Sequence, residues 1–126
     1  MLVAVGCGTE ILPAFLVRYY QGVPPGVTPA FRDDAVWMTG GRMAVVTYGS
    51  SSCPALPIRL DVSANNNLKV TVNPLSSGPC TADLAPTTSV IEIPKALDIT
   101  RGVTVTITGD GYGATVTLPP RPSDGH

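Results

Sequence analysis

The stretch Val103-Thr-Val-Thr-Ile-Thr-Gly-Asp-Gly-Tyr-Gly-Ala-Thr-Val-Thr-Leu118 holds two runs of strict alternation. Val103, Val105 and Ile107 share one face, and threonines occupy the other. The Gly109-Asp-Gly-Tyr-Gly113 segment reverses the chain, and Ala114–Leu118 repeats the alternation. A period of two places successive side chains on opposite faces of a strand, so this is a hairpin with one buried and one wet face. Threonine suits the wet face because a β-branched side chain fits the pleat.

The same pattern extends upstream. Leu68, Val70 and Val72 alternate with Lys69, Thr71 and Asn73. Across the turn residues Ala64–Asn67, Ile58, Leu60 and Val62 alternate with Arg59, Asp61 and Ser63. Residues 35–39 and 42–48 are strand-like around Gly40-Gly41, a hairpin signal. Residues 88–93 form a further strand stopped at Pro94, and 95–102 read as a bend or a single helical turn. These are seven short strands with closely spaced turns and no sustained helical period. Their apolar faces have to be buried together, which predicts an all-β, antiparallel, immunoglobulin-like two-sheet sandwich, with a small barrel as the alternative.

Composition agrees. The 126 residues are enough for one core; 44% are hydrophobic and only 13% charged, with thirteen glycines and thirteen prolines to supply turns. A net charge of −1 gives no electrostatic reason to expect nucleic acid or an anionic membrane surface as partner. Residues 1–34 read as an irregular arm, with a polyproline-like linker at Gln21–Pro29. Residues 35–118 read as the sandwich and 119–126 as a disordered tail. Trp37 reads as the core tryptophan of the first hairpin.

Three cysteines leave an odd one over. Ala4-Val5-Gly6-Cys7 is similar to a bacterial lipobox, in which small residues precede a cysteine that becomes the lipidated terminus. On that reading the start is the tail of a leader, and Cys7 provides the sole contact with a membrane. On the other reading Met1 opens an edge strand and Cys7 is a small buried residue. Cys53 and Cys80 both sit beside turn residues, in Ser50-Ser-Ser-Cys-Pro54 and Ser77-Gly-Pro-Cys-Thr81, and their pairing leaves Cys7 for the lipid. No cofactor or metal is expected: there is no Cys-x-x-Cys, and the single histidine is His126.

Candidate chemistry concentrates near Cys53. Gly49-Ser-Ser-Ser-Cys53 approaches a nucleophile elbow but lacks its final glycine, and Pro54 and Pro57 oppose the helix that motif requires. His126, in the tail, is poorly placed as a base, and Lys69 and Lys95 have no context suggesting a Ser-Lys dyad. The serines are expected to bond backbone groups in the turn. Asp33, Asp34, Asp83, Glu92, Asp98 and Asp110 have no calcium-loop or glycosidase spacing; Asp110 fits an Asp-Gly turn and Asp83 an Asx-type turn. Arg18, Tyr19 and Tyr20 form a candidate docking patch, since tyrosine and arginine are enriched in interface cores. The other reading, which the segment favours, is that it packs along the sandwich edge.

The segments Val45-Val-Thr-Tyr-Gly-Ser-Ser-Ser-Cys-Pro54 and Pro79-Cys-Thr-Ala-Asp-Leu-Ala-Pro-Thr-Thr-Ser-Val-Ile-Glu-Ile-Pro94 resemble small actinobacterial secreted or lipid-anchored proteins of unassigned activity. The likeness spans roughly residues 35–118. It implies an exported, β-rich domain with a Cys53–Cys80 bridge and no catalytic residues. The expected function is therefore a non-enzymatic extracytoplasmic binding or structural module of the cell envelope, with a protein or envelope component as partner. The alternatives are a subunit of a surface assembly docking through its N-terminal arm, and a hydrolase with a loop-built Ser/Asp site.

Overall fold

The computed structural model describes residues 12–74, 79–109 and 112–121, in which the chain forms strands and turns and no helix. The strands are β1 (Leu16–Gln21), β2 (Asp34–Met38), β3 (Arg42–Gly49), β4 (Ala55–Ser63), β5 (Asn67–Pro74), β6 (Ala85–Glu92), β7 (Val103–Gly109) and β8 (Tyr112–Leu118). Local chemistry makes the hairpins. Asn65 and Asn66, at φ 66° and 60°, reverse the chain between β4 and β5, and Gly40 and Gly41, at 75° and 74°, do so between β2 and β3. Asparagine and glycine tolerate this left-handed region better than other residues.

Two four-stranded sheets result, ordered β1-β6-β3-β2 and β4-β5-β7-β8, and neither closes into a barrel. The sandwich expected from the alternation is therefore present, with eight strands among the described residues in place of seven. One pairing departs from the antiparallel expectation: β5 and β7 are parallel, with Asn67 opposite Thr104 and Val70 opposite Ile107. Between them the chain crosses to the other sheet and runs back along it as β6. It therefore starts β7 at the end of the sandwich where β5 also began.

The interior follows the alternation. Met43 and Val45 of β3 and Ile91 of β6 face Leu68, Val70 and Val72 of β5 and Val103, Val105 and Ile107 of β7, all essentially inaccessible to water. Ile58 breaks the pattern and is exposed, whereas Ala55, Leu56 and Pro57 are buried. The register shifts between Pro57 and Arg59, and such a bulge re-aims the side chains beside it. Leu60 and Val62 still pack against the core, as does the half-buried Trp37.

β3 and β6 are buried on both faces, including Ala44, Val46, Thr88 and Val90 on the side away from the second sheet. The connection from β1 to β2 joins opposite edges of the first sheet and closes over that side. Gly22 carbonyl accepts from Thr88 Oγ1 (2.7 Å), Pro24 is buried, and Tyr48 hydroxyl accepts from Ala30 N–H (3.1 Å).

Two boundaries therefore differ from the sequence reading. The arm 1–34 is not wholly irregular, because β1 pairs with β6 across five positions. Its alternation is hidden by an edge position and a bulge between Leu16 and Arg18. The tail is anchored at its beginning. Trp37 Nε1 donates to Pro119 carbonyl (2.7 Å), Arg121 N–H to Ile99 carbonyl (2.8 Å), and Arg121 Nη2 to Met38 carbonyl (2.8 Å). The first and last of these bonds tie the end of β8 to β2 of the other sheet, and the second ties it to the segment between β6 and β7.

Candidate functional site

The residues with chemical potential gather where the chain changes sheets. β3 ends at Gly49, opposite Ala85 at the start of β6, and β4 starts at Ala55, opposite Pro74 at the end of β5. The crossing from β3 to β4 and the crossing from β5 to β6 thus lie at one end of the sandwich. Cys53 lies on the first and Cys80 on the second. They form a disulfide, with Cα atoms 5.5 Å apart, well inside the reach of such a bond. Cys53 is buried and Cys80 exposed.

Hydrogen bonds join the same two loops independently of the sulfurs. Ser50 Oγ lies 2.7 Å from Thr81 Oγ1, and Ser51 Oγ 3.3 Å from it. Thr81 N–H donates to Ser52 Oγ (2.9 Å), and Ser51 N–H to Asp83 Oδ1 (3.0 Å). Within the first loop Cys53 N–H donates to Ser50 carbonyl (3.2 Å). Gln21 at the end of β1 donates from Nε2 to Ser51 carbonyl (2.9 Å), bringing a third segment to the cluster. Across the sheets behind it, Thr47 Oγ1 donates to Ala55 carbonyl (2.7 Å) inside the protein.

This arrangement decides what Asp83 is suited to. Its carboxylate is held down to about 2 by a hydrogen bond from the Ser51 side chain first, then by Thr81 and the Ser51 backbone. A carboxylate stabilised so far in its charged form is a weak general base near neutral pH. It spans the two loops and does more than close the local turn expected after Cys80. Ser51 and Ser52 lie in a turn that leads into strand β4, without the helix that follows a nucleophile elbow.

The remaining carboxylates are dispersed. Asp33 Oδ1 accepts from Tyr48 N–H (3.1 Å), and burial pushes its pKa up against that bond. Asp34 accepts from Ala35 N–H, and Asp98 accepts from the Thr100 N–H and hydroxyl, which lower its pKa. Glu92 pairs with Arg42 at 3.4 Å. No group of three or more His, Cys, Asp or Glu is placed to hold a metal among the described residues, and no helix there is long and apolar enough to cross a membrane.

Arg18, Tyr19 and Tyr20 lie consecutively on edge strand β1. Opposite Val90 and Thr88 respectively, Arg18 and Tyr20 share one face; Tyr19, opposite Ser89, takes the other. They therefore do not form one contiguous patch. Arg18 and Tyr19 are exposed, Tyr20 is half-buried, and Val17 is exposed beside them. Cys7, Asp110 and His126 lie outside the described residues.

Sequence reasoning missed Gln21 as a member of the site and the ring contact of Phe31 with Tyr48, centroids 5.7 Å apart. Phe31 has φ 56°, uncommon for a bulky residue, and nothing in Pro29-Ala-Phe-Arg32 announces it. Among known proteins, no family model, no curated protein and no solved structure matches this chain.

Proposed function

We propose that this chain is a non-catalytic binding or structural module of the cell envelope, working outside the cytoplasm and tethered there through a lipid on Cys7. The observation that carries the reading is the Cys53–Cys80 bridge between the two sheet crossings. Disulfides of this structural kind form and persist in oxidising compartments and are rare in the cytosol. The hydroxyls and carboxylate around the bridge hold loop to loop, a use that accounts for them without turnover. Two acyl chains at Cys7 would hold the domain firmly at a membrane, where one gives marginal binding.

The test is intact mass and fractionation of protein made from its full natural gene in its natural host. Envelope-associated protein with the bridge closed and a lipidated Cys7 is expected. Cytosolic protein with free thiols at both positions overturns the compartment, and mature protein that keeps Met1–Gly6 without lipid overturns the anchor. Hydrolysis abolished by Ser51→Ala or Ser52→Ala in a folded domain overturns the non-catalytic reading.

A second reading, a subunit of a larger surface assembly, is favoured by Val17 and Tyr19 exposed on edge strand β1. An exposed apolar edge is a liability that proteins ordinarily cover or charge. Tyr19→Asp is expected to release the domain from such an assembly while its thermal unfolding changes little. Unchanged association removes β1 as the docking element.

A further inference from the structure

The two cysteines of the bridge stand in different surroundings. Cys53 is 6% exposed, directly before β4, and its Sγ lies 3.9 Å from Ser52 Oγ. Cys80 sits between Pro79 and Thr81 on the surface. The loops that carry them are joined by the Ser50–Thr81, Thr81–Ser52 and Ser51–Asp83 hydrogen bonds, none of which needs the S–S bond.

We propose that Cys80 is the sulfur at which the bridge is made and opened by an external thiol–disulfide partner of the Cys-x-x-Cys oxidoreductase class, with Cys53 as the interior resolving thiol. In the oxidative direction the Cys80 thiolate attacks one sulfur of the partner's disulfide. A Cys80–partner S–S bond forms, the partner's own S–S bond breaks, and its second sulfur leaves as thiolate. The Cys53 thiolate then attacks Cys80 Sγ, closing the bridge and expelling the partner's first sulfur. Two thiols of this chain are oxidised, one partner disulfide is reduced to two thiols, and the two protons pass through solvent to those thiols.

Reduction runs the same path backwards. A partner thiolate attacks Cys80 Sγ, and Cys53 leaves as a thiolate, its Sγ 3.9 Å from Ser52 Oγ. The partner's second thiolate then attacks its own sulfur in the mixed disulfide, releasing Cys80. Access selects the sulfur that is attacked, since exchange requires the incoming sulfur to approach in line with the S–S bond being broken. The inference goes beyond the envelope reading and does not depend on it, because it concerns the order of bond making at two described positions.

The experiment uses the full chain carrying Cys7→Ser, so that two thiols remain, and glutathione disulfide as probe. Folded Cys53→Ala, which retains Cys80, is expected to gain one glutathionyl group at least about tenfold faster than folded Cys80→Ala, as access dictates. In urea the two rates should converge. Equal rates in the folded state, or faster reaction at Cys53, overturn the proposal.

A second measurement keeps the test open if either variant fails to fold. The oxidised two-cysteine chain is treated briefly with reduced glutathione, alkylated and fragmented. Glutathione located on Cys80 with Cys53 alkylated supports the proposal; the reverse pattern, or an even mixture, overturns it.

Discussion

Replacing both Cys53 and Cys80 by alanine removes the one covalent link between the crossings, and the cost follows from the chain it closes. The bridge joins residues 27 positions apart. Loop-closure entropy for that length is about 12 cal/mol/K, or about 3.6 kcal/mol at 25 °C, before any native strain is subtracted. A domain of this size has only about 5–15 kcal/mol in total, so a quarter or more of the stability is at stake. The melting temperature should fall by roughly 10–20 °C on the usual scaling for this length. In the native state the hydroxyl cluster still pins the two loops, so the loss arises mainly through the freed unfolded chain. That has its own signature in urea unfolding. The variant should show a lower midpoint and a steeper dependence on urea, because an uncrosslinked unfolded chain exposes more surface. Either single alanine variant should cost nearly as much as the double, since each removes the same bond. A double variant within about 1 kcal/mol of the oxidised parent, with an unchanged slope, would refute the reasoning.

Three other outcomes are expected. Ile107→Ala, which empties a fully buried position on β7, should cost about 2–5 kcal/mol in denaturant unfolding, whereas Thr106→Ala on the opposite face should stay within about 0.5 kcal/mol. Asp83 has a folded pKa of about 2 against an ordinary 3.8, so its contribution is present above about pH 4 and lost as pH falls through 2; the stability gap between the parent and Asp83→Ala should close over that window. Asp33 is displaced the other way by burial, so its charged form costs stability above its raised pKa; Asp33→Asn should melt higher than the parent at neutral pH, with the advantage disappearing on acidification below the ordinary carboxylate range.

The candidate site was only partly legible in the residues. Cys53 and Cys80 announced a bridge because each sat beside turn residues in a chain with an odd cysteine count. The serines between Gly49 and Cys53 announced a turn. Their partners did not show, because Thr81 and Asp83 come from a loop some thirty residues later, and Gln21 from a strand thirty residues earlier. A hydrogen bond between distant loops leaves no periodicity to read. The exposure of Ile58 escaped for a related reason: the register with β5 shifts between Pro57 and Arg59, which pair with the adjacent Val72 and Thr71, and a shift by one residue exchanges the faces of a strand.

What the residues determined by themselves was local: alternation of period two in Leu68–Asn73, Val103–Thr108 and Ala114–Leu118, and reversals where asparagine and glycine accept positive φ. These follow from sterics between near neighbours, so a window of a few residues contains them. Which sheet each strand joined was decided by the tertiary structure. It made β1 an edge strand, set β5 and β7 parallel, buried β3 and β6 on both faces, and folded the start of the tail against Trp37 and Met38. An edge strand with a bulge and a strand buried on both faces both lose the two-faced pattern that marks a strand in sequence. Their places depend on apolar area and backbone bonds supplied by segments far along the chain, which become neighbours only after the two sheets have closed on each other.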